Sequence, residues 1–223
     1  MKKALVILLT ALLLVAAVSC SKTQETTPST GTVDTETTFD PNKTVEFVQQ
    51  TTEDNRVITV GTVDKTQFQQ PILVTSFGQS TDAAMIDTVM KKIGANYSYN
   101  PTADASAVAN CKTIVIAVGA STKGLGAAGI SEADETARAE SIMSAVKANG
   151  TKVICVHIGG SQRRGTLSDV FADMVLPVSS YIVLKEDANF DYKFTTYAEK
   201  NNLPISLIYA TKDTVTVFTD LLK

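Results

Sequence analysis

An α/β fold, with a mostly parallel sheet doubly wound into a three-layer sandwich and built as a single domain, is what this sequence predicts. Three runs, Pro71–Phe77 (PILVTSF), Thr113–Val118 (TIVIAV) and Val153–Ile158 (VICVHI), are mostly apolar and rich in Val and Ile. Strands of that kind are buried on both faces, which is the habit of parallel sheets. Between the runs the apolar residues change to helical spacing, and after each run come glycines and polar residues. Alternating strands and helices give a parallel sheet covered on both sides.

The elements follow in order. Val45–Val48 and Val57–Val63 read as short strands leading into the domain, and Pro71–Phe77 is the first buried strand. Ser80 is placed to cap a helix whose apolar face is Met85, Ile86, Val89, Met90 and Ile93, with Gly94 as its stop. Tyr97–Tyr99 is a short strand and Thr113–Val118 the next buried one. Ser131 and Asp134 form a capping box for a helix reaching about Ala148, before Gly150. Val153–Ile158 is followed by a helical stretch from Ser168, the strand Tyr181–Leu184, a helix near Tyr192–Asn201, the strand Ile205–Tyr209 and a terminal helical piece. The arrangement is flavodoxin-like.

The N-terminus reads as an address. Lys2 and Lys3 precede an apolar run, Ala4 to Val18, that is short for a bilayer span and ends in small residues. Ala17-Val18-Ser19-Cys20 resembles the bacterial lipobox, although Leu is usual where Ala17 stands. The resemblance implies a signal peptide over residues 1–19 and lipidation of Cys20; the alternative is an ordinary secretory peptide cut after Ser19. Ser21 follows the cysteine, so the Asp that retains many lipoproteins in the inner membrane is absent. The expected location is therefore exported and lipid-anchored, at the outer membrane or cell surface in preference to the inner membrane. From Ser21 to about Asn42 the chain is rich in Thr, Ser, Glu, Asp and Pro, with too few apolar residues to offset its ordering entropy. Residues 20–42 are thus expected to form a disordered tether with a reach of about 25 Å. Residues 43–223 form the α/β domain, with its core over 71–210.

Composition excludes several functions. The formal charge is -3, and loss of Lys2 and Lys3 with the leader takes it to -5. A nucleic-acid partner is not expected of such a chain, because phosphate binding needs a basic face. The chain has no Trp, so a sugar site built on stacked indoles is not expected either. Besides Cys20 the cysteines are Cys111 and Cys155, with no CxxC pair. Cys155 lies within an apolar strand and reads as a buried, inert thiol.

In doubly wound folds ligands bind beyond the carboxyl ends of the strands. Four loops converge there in this sequence, and they supply the candidate binding residues. Gln79 and Ser80 follow the first buried strand. Ser121, Lys123, Gly124 and Gly126 follow the second. His157, Gly159, Gly160, Arg163 and Arg164 end and follow the third, and Asn189 and Asp191 follow the Tyr181 strand. Glycines beside a helix N-terminus expose N–H groups to an anion, or else serve as tight packing turns. An Arg fork holds carboxylate or phosphate through paired hydrogen bonds. Of two adjacent arginines, however, one often points away, here toward Asp169 or Glu186 as a structural salt bridge. Lys123 adds a point charge.

Conventional chemistries fit poorly. Gly124-Leu-Gly126-Ala-Ala-Gly129 matches GxGxxG, but its first Gly comes six positions after the strand's last residue, and the next strand ends in His157 rather than an acid. A P-loop is excluded because Lys123 precedes its Gly. His157, the single histidine, suits a base, a metal ligand or a satisfied core residue, the last being favoured. Ser161 in Gly-Gly-Ser-Gln-Arg lacks the closing Gly of a nucleophile elbow. No catalytic residue, metal or cofactor is expected.

The motifs TSxGQS, GASxKGLGAAG, HIGGxxRRGxxSD and NxDxxFT, in this order over about Pro71 to Ile208, resemble a bacterial family of exported proteins described only as a domain of unknown function. The resemblance implies that these loops define the family and carries no activity with it. The function expected is a tethered module that binds a small anionic metabolite, with a membrane transporter as a candidate partner. Alternatives are an interaction or scaffolding lipoprotein, and a hydrolase or transferase acting on an anionic substrate.

Overall fold

The structure, a computed structural model, describes residues 50–222. The leader, Cys20, the tether and the expected strand Val45–Val48 lie outside the described residues. Seven strands form one sheet: β1 (Val57–Val60), β2 (Ile72–Phe77), β3 (Tyr97–Tyr99), β4 (Thr113–Val118), β5 (Lys152–His157), β6 (Tyr181–Lys185) and β7 (Ile205–Ile208). The helices are α1 (Asp82–Ile93), α2 (Thr122–Ala128), α3 (Glu132–Asn149), α4 (Thr166–Val175), α5 (Lys193–Lys200) and α6 (Thr214–Leu221).

The sheet order is β1-β7-β6-β5-β4-β2-β3, parallel throughout except for the β1–β7 pair. Beyond the antiparallel edge strand β1, the six parallel strands have the flavodoxin-like order, with the topological switch point between β2 and β4. The period-2 geometry of a strand divides each apolar run between two cores. Ile114, Ile116 and Val118 of β4 pack with Ile142 and Met143 of α3, Phe171 of α4 and Phe194 of α5. Val115, with Ile72 and Val74 of β2, packs against Ile86 and Met90 of α1 and Phe218 of α6. Both faces are therefore covered, which is why the runs show no polar alternation.

Most expected elements appear with shifted ends, and three differences have physical causes. Residues 122–128, read as a glycine-rich loop, form α2, because Ser121 Oγ accepts from Gly124 N–H (3.0 Å) and Leu125 is buried. Met85 is exposed rather than on the apolar face of α1. Ser80 is not the formal cap of α1; its Oγ instead accepts from Asp82 N–H (3.3 Å). The capping box of Ser131 and Asp134 forms as the sequence predicts. Cys111 and Cys155 are both free and buried, and burial pushes the Cys155 thiol up to about 12. Cys155 is thus an inert strand residue.

Candidate functional site

The loops leaving β2, β4, β5 and β6 meet at the carboxyl edge, where they bind one another closely. Gln79 and Ala120 form an isolated bridge across the switch point. Ala120 N–H donates to Ser168 Oγ (2.8 Å), tying the loop after β4 to α4. A Cβ on Gly124 would lie 1.9 Å from the carbonyl oxygen of Gln79, so this glycine is a packing requirement. Gly126, by contrast, has open space around it. These contacts draw the loops of the carboxyl edge together across the switch point. Two shallow depressions, of about 370 and 290 Å³, lie elsewhere. One is beside Met143, Met174 and Pro177, and the other beside Val108, Lys112 and Asn149.

Arg164 corrects the expectation that it faces a ligand. Its side chain is 3% exposed, and all five of its N–H donors are engaged. Nε and Nη2 donate to the two carboxylate oxygens of Asp169 (2.7 and 3.1 Å). Nη1 and Nη2 donate to those of Asp191 (3.1 and 2.7 Å), and Nη1 also donates to the carbonyl of Ala188. The guanidinium lies over the rings of Phe190 and Phe194. Asp191 and Asn189 belong to the same structural unit. The amide of Asn189 donates to Thr195 Oγ (2.8 Å) and accepts from Thr195 N–H (3.4 Å), bracing the start of α5. The alternative in which one arginine turns to Asp169 is the one observed; Glu186 instead accepts from the N–H of Thr51 (2.7 Å).

Gln79 is likewise a positioning residue. It takes a left-handed conformation (φ 56°), and its Nε2 donates to Pro101 O (2.9 Å) and to Glu135 Oε1 (3.1 Å). Glu135 is fully buried in α3 and also accepts from Gly78 N–H (2.7 Å) and from Arg138 Nε (2.8 Å) and Nη2 (2.7 Å). Arg138 extends this anchor to the carbonyls of Ser76 and Ala103. Sequence reasoning missed this pair, although Glu135-Thr-Ala-Arg138 places acid and base three apart on one helix face.

His157 is a satisfied core residue. Nδ1 donates to Val118 O (2.7 Å), Nε2 faces Gly160 O (3.4 Å), and the ring stacks on Phe194 with centroids 5.8 Å apart. Asp82, also missed, begins α1 with 1% exposure. Its Oδ2 accepts from Ile158 N–H (3.3 Å), while Oδ1 has no partner among the described residues. Burial pushes its carboxyl above the usual range, against the pull of neighbouring His157 and Arg163. The Asp82 carboxyl group thus already occupies the N-terminus of α1.

Arg163 is different. The chain has four arginines, and Arg56, Arg138 and Arg164 are bound in ion pairs. Arg163 forms none with any described residue, and its stem lies across Gly159. Lys123 is exposed on α2 and likewise unpaired among the described residues, whereas Lys185 pairs with Asp187 over Gly160. The exposed large apolar side chains also favour this end of the molecule. Tyr99, Phe190, Tyr192 and Tyr209 follow or end strands there, and Met85 and Val170 lie in the N-terminal halves of α1 and α4.

A family model described as a domain of unknown function (DUF6305) matches residues 69–222. The chain belongs to this family. No curated protein and no solved structure matches it. The described DUF6305 residues place the loop motifs at one sheet edge, with Arg164, Asp169, Asn189, Asp191 and Thr195 holding the loops to one another and Gly159 and Arg163 half-buried against each other beside Asp82.

Proposed function

We propose that the protein is a membrane-tethered extracytoplasmic module that binds a small anionic metabolite, a carboxylate or phosphate, at the carboxyl edge of its sheet and serves a membrane transporter. The observation that carries this reading is Arg163: one arginine without a carboxylate partner among the described residues, on the edge where doubly wound folds bind ligands. A half-buried guanidinium that enters no ion pair among the described residues suits bidentate capture of an anion. Lys123 on the neighbouring loop adds charge, and the interlocked loops fix the backbone around them. The tether and lipid anchor rest on the lipobox-like Ala17–Cys20 sequence.

A thermal-shift screen of small carboxylates and phosphates on the full chain in detergent tests the binding. A ligand at 100 times its Kd is expected to add about 2.7 kcal/mol of stability. Arg163→Ala is expected to abolish the shift with the unliganded melt unchanged. Equal shifts in wild type and Arg163→Ala would remove this site from the account. Cys20→Ala is expected to move the protein from the membrane to the soluble exported fraction; unchanged fractionation would contradict the anchor. A second reading, a lipoprotein that docks a protein partner, is favoured by the 63% exposure of Phe190 beside Tyr192 on this edge.

A further inference from the structure

We infer that the guest of this edge carries a hydrogen-bond donor next to its anionic group, the anion meeting Arg163 and the donor meeting the carboxylate of Asp82. The inference deepens the binding reading above and rests on it. Asp82 and Arg163 lie against the same residue, Gly159. A Cβ built there would sit 2.3 Å from Arg163 Cγ and 3.0 Å from Asp82 Oδ2. A glycine at this position is what lets the stem of Arg163 lie over the strand end with the carboxylate close by.

Asp82 has acceptor capacity that the described residues leave unused. Oδ2 is held by Ile158 N–H, and Oδ1 is buried without a donor. A buried acceptor left unpaired is unfavourable, and in folded proteins such groups are matched by water, an ion or a ligand. No carboxylate within ion-pair distance fixes Arg163, so movement of one side chain uncovers the neighbourhood of Asp82. An anion that draws the guanidinium outward would then bring its adjacent substituent toward Oδ1. A hydroxyl or ammonium there completes the bond; a bare methylene leaves the oxygen orphaned. The ligand class is therefore a small 2-hydroxy or 2-amino acid rather than a plain carboxylate or inorganic phosphate.

Titration calorimetry on the full chain in detergent, with L-malate, L-aspartate and succinate as matched probes, tests this directly. Malate or aspartate is expected to bind about tenfold more tightly than succinate, the scale of one hydrogen bond to a charged group. Asp82→Asn, which replaces the orphan acceptor with a donor, is expected to bring that ratio to about one while succinate binding persists. The wild-type comparison stands even if the variant folds poorly. Equal affinities for all three probes in wild type would overturn the inference and leave the anion site standing. Failure of all three probes to bind, together with no stabilisation by any carboxylate or phosphate in the thermal screen, would overturn both.

Discussion

Arg164→Ala is expected to lower the stability of the domain by about 3 kcal/mol, the upper scale for losing charged hydrogen bonds, since the guanidinium is 3% exposed although its partners Asp169 and Asp191 are 30% and 39% exposed. The guanidinium makes five hydrogen bonds, and its loss strands Asp169, Asp191 and the carbonyl of Ala188 while removing a cation from between Phe190 and Phe194. For a domain of this size that corresponds to a Tm lower by roughly 6–12 °C. The pH dependence has a definite sign. Hydrogen bonds from Arg164 hold the Asp191 carboxyl below its usual range. Its contribution is complete above the unfolded-state value of about 3.9 and is lost as pH falls through the folded-state value. Melts of wild type and Arg164→Ala should therefore converge in acid. A neutral-pH melt unchanged by the substitution would show that the bridge between the β5 and β6 loops contributes little.

Glu135→Ala is expected to have a comparable effect, about 3–4 kcal/mol, because it leaves Arg138 buried without its counter-charge and Gly78 N–H without an acceptor. Its consequence is also local. Gln79 holds a left-handed backbone with its side chain tied to Glu135 and Pro101, so the loop after β2 should loosen first. Hydrogen exchange is expected to accelerate at residues 78–82 and 120–124 beyond the global loss of stability. Uniform acceleration across the sheet would mean that Glu135 supports the core as a whole rather than this loop.

The two substitutions mark where the sequence was legible. The apolar runs of β2, β4 and β5 could be read because burial on both faces removes polar alternation, and α3 because its capping box is local in sequence. The carboxyl edge could be located because strand direction and glycine-rich loops place it. Roles within the edge depend on pairings that span 24 to 62 residues, such as Arg164 with Ala188 and Arg138 with Ser76. No local spacing encodes those pairings. Arg163 and Arg164 are identical in the sequence, and only the fold turns one to Asp169 and Asp191 and leaves the other unpaired. Gly124 read equally as an anion loop or a packing turn until the carbonyl of Gln79 appeared against it. Asp82 was hidden for the opposite reason: an acid in the first turn of a helix is ordinarily a solvated capping charge, and here the turn faces inward over the end of β5.

Backbone amide NMR of the domain during titration with a stabilising anion tests the central claim most directly. Perturbations are expected to concentrate at residues 80–82, 119–124 and 158–165, to saturate together, and to vanish in Arg163→Ala. Perturbations centred instead on the amino-edge depression at Val108–Lys112 and Asn149–Thr151, or on Met143, Met174 and Pro177, would contradict the assignment of the carboxyl edge as the binding site.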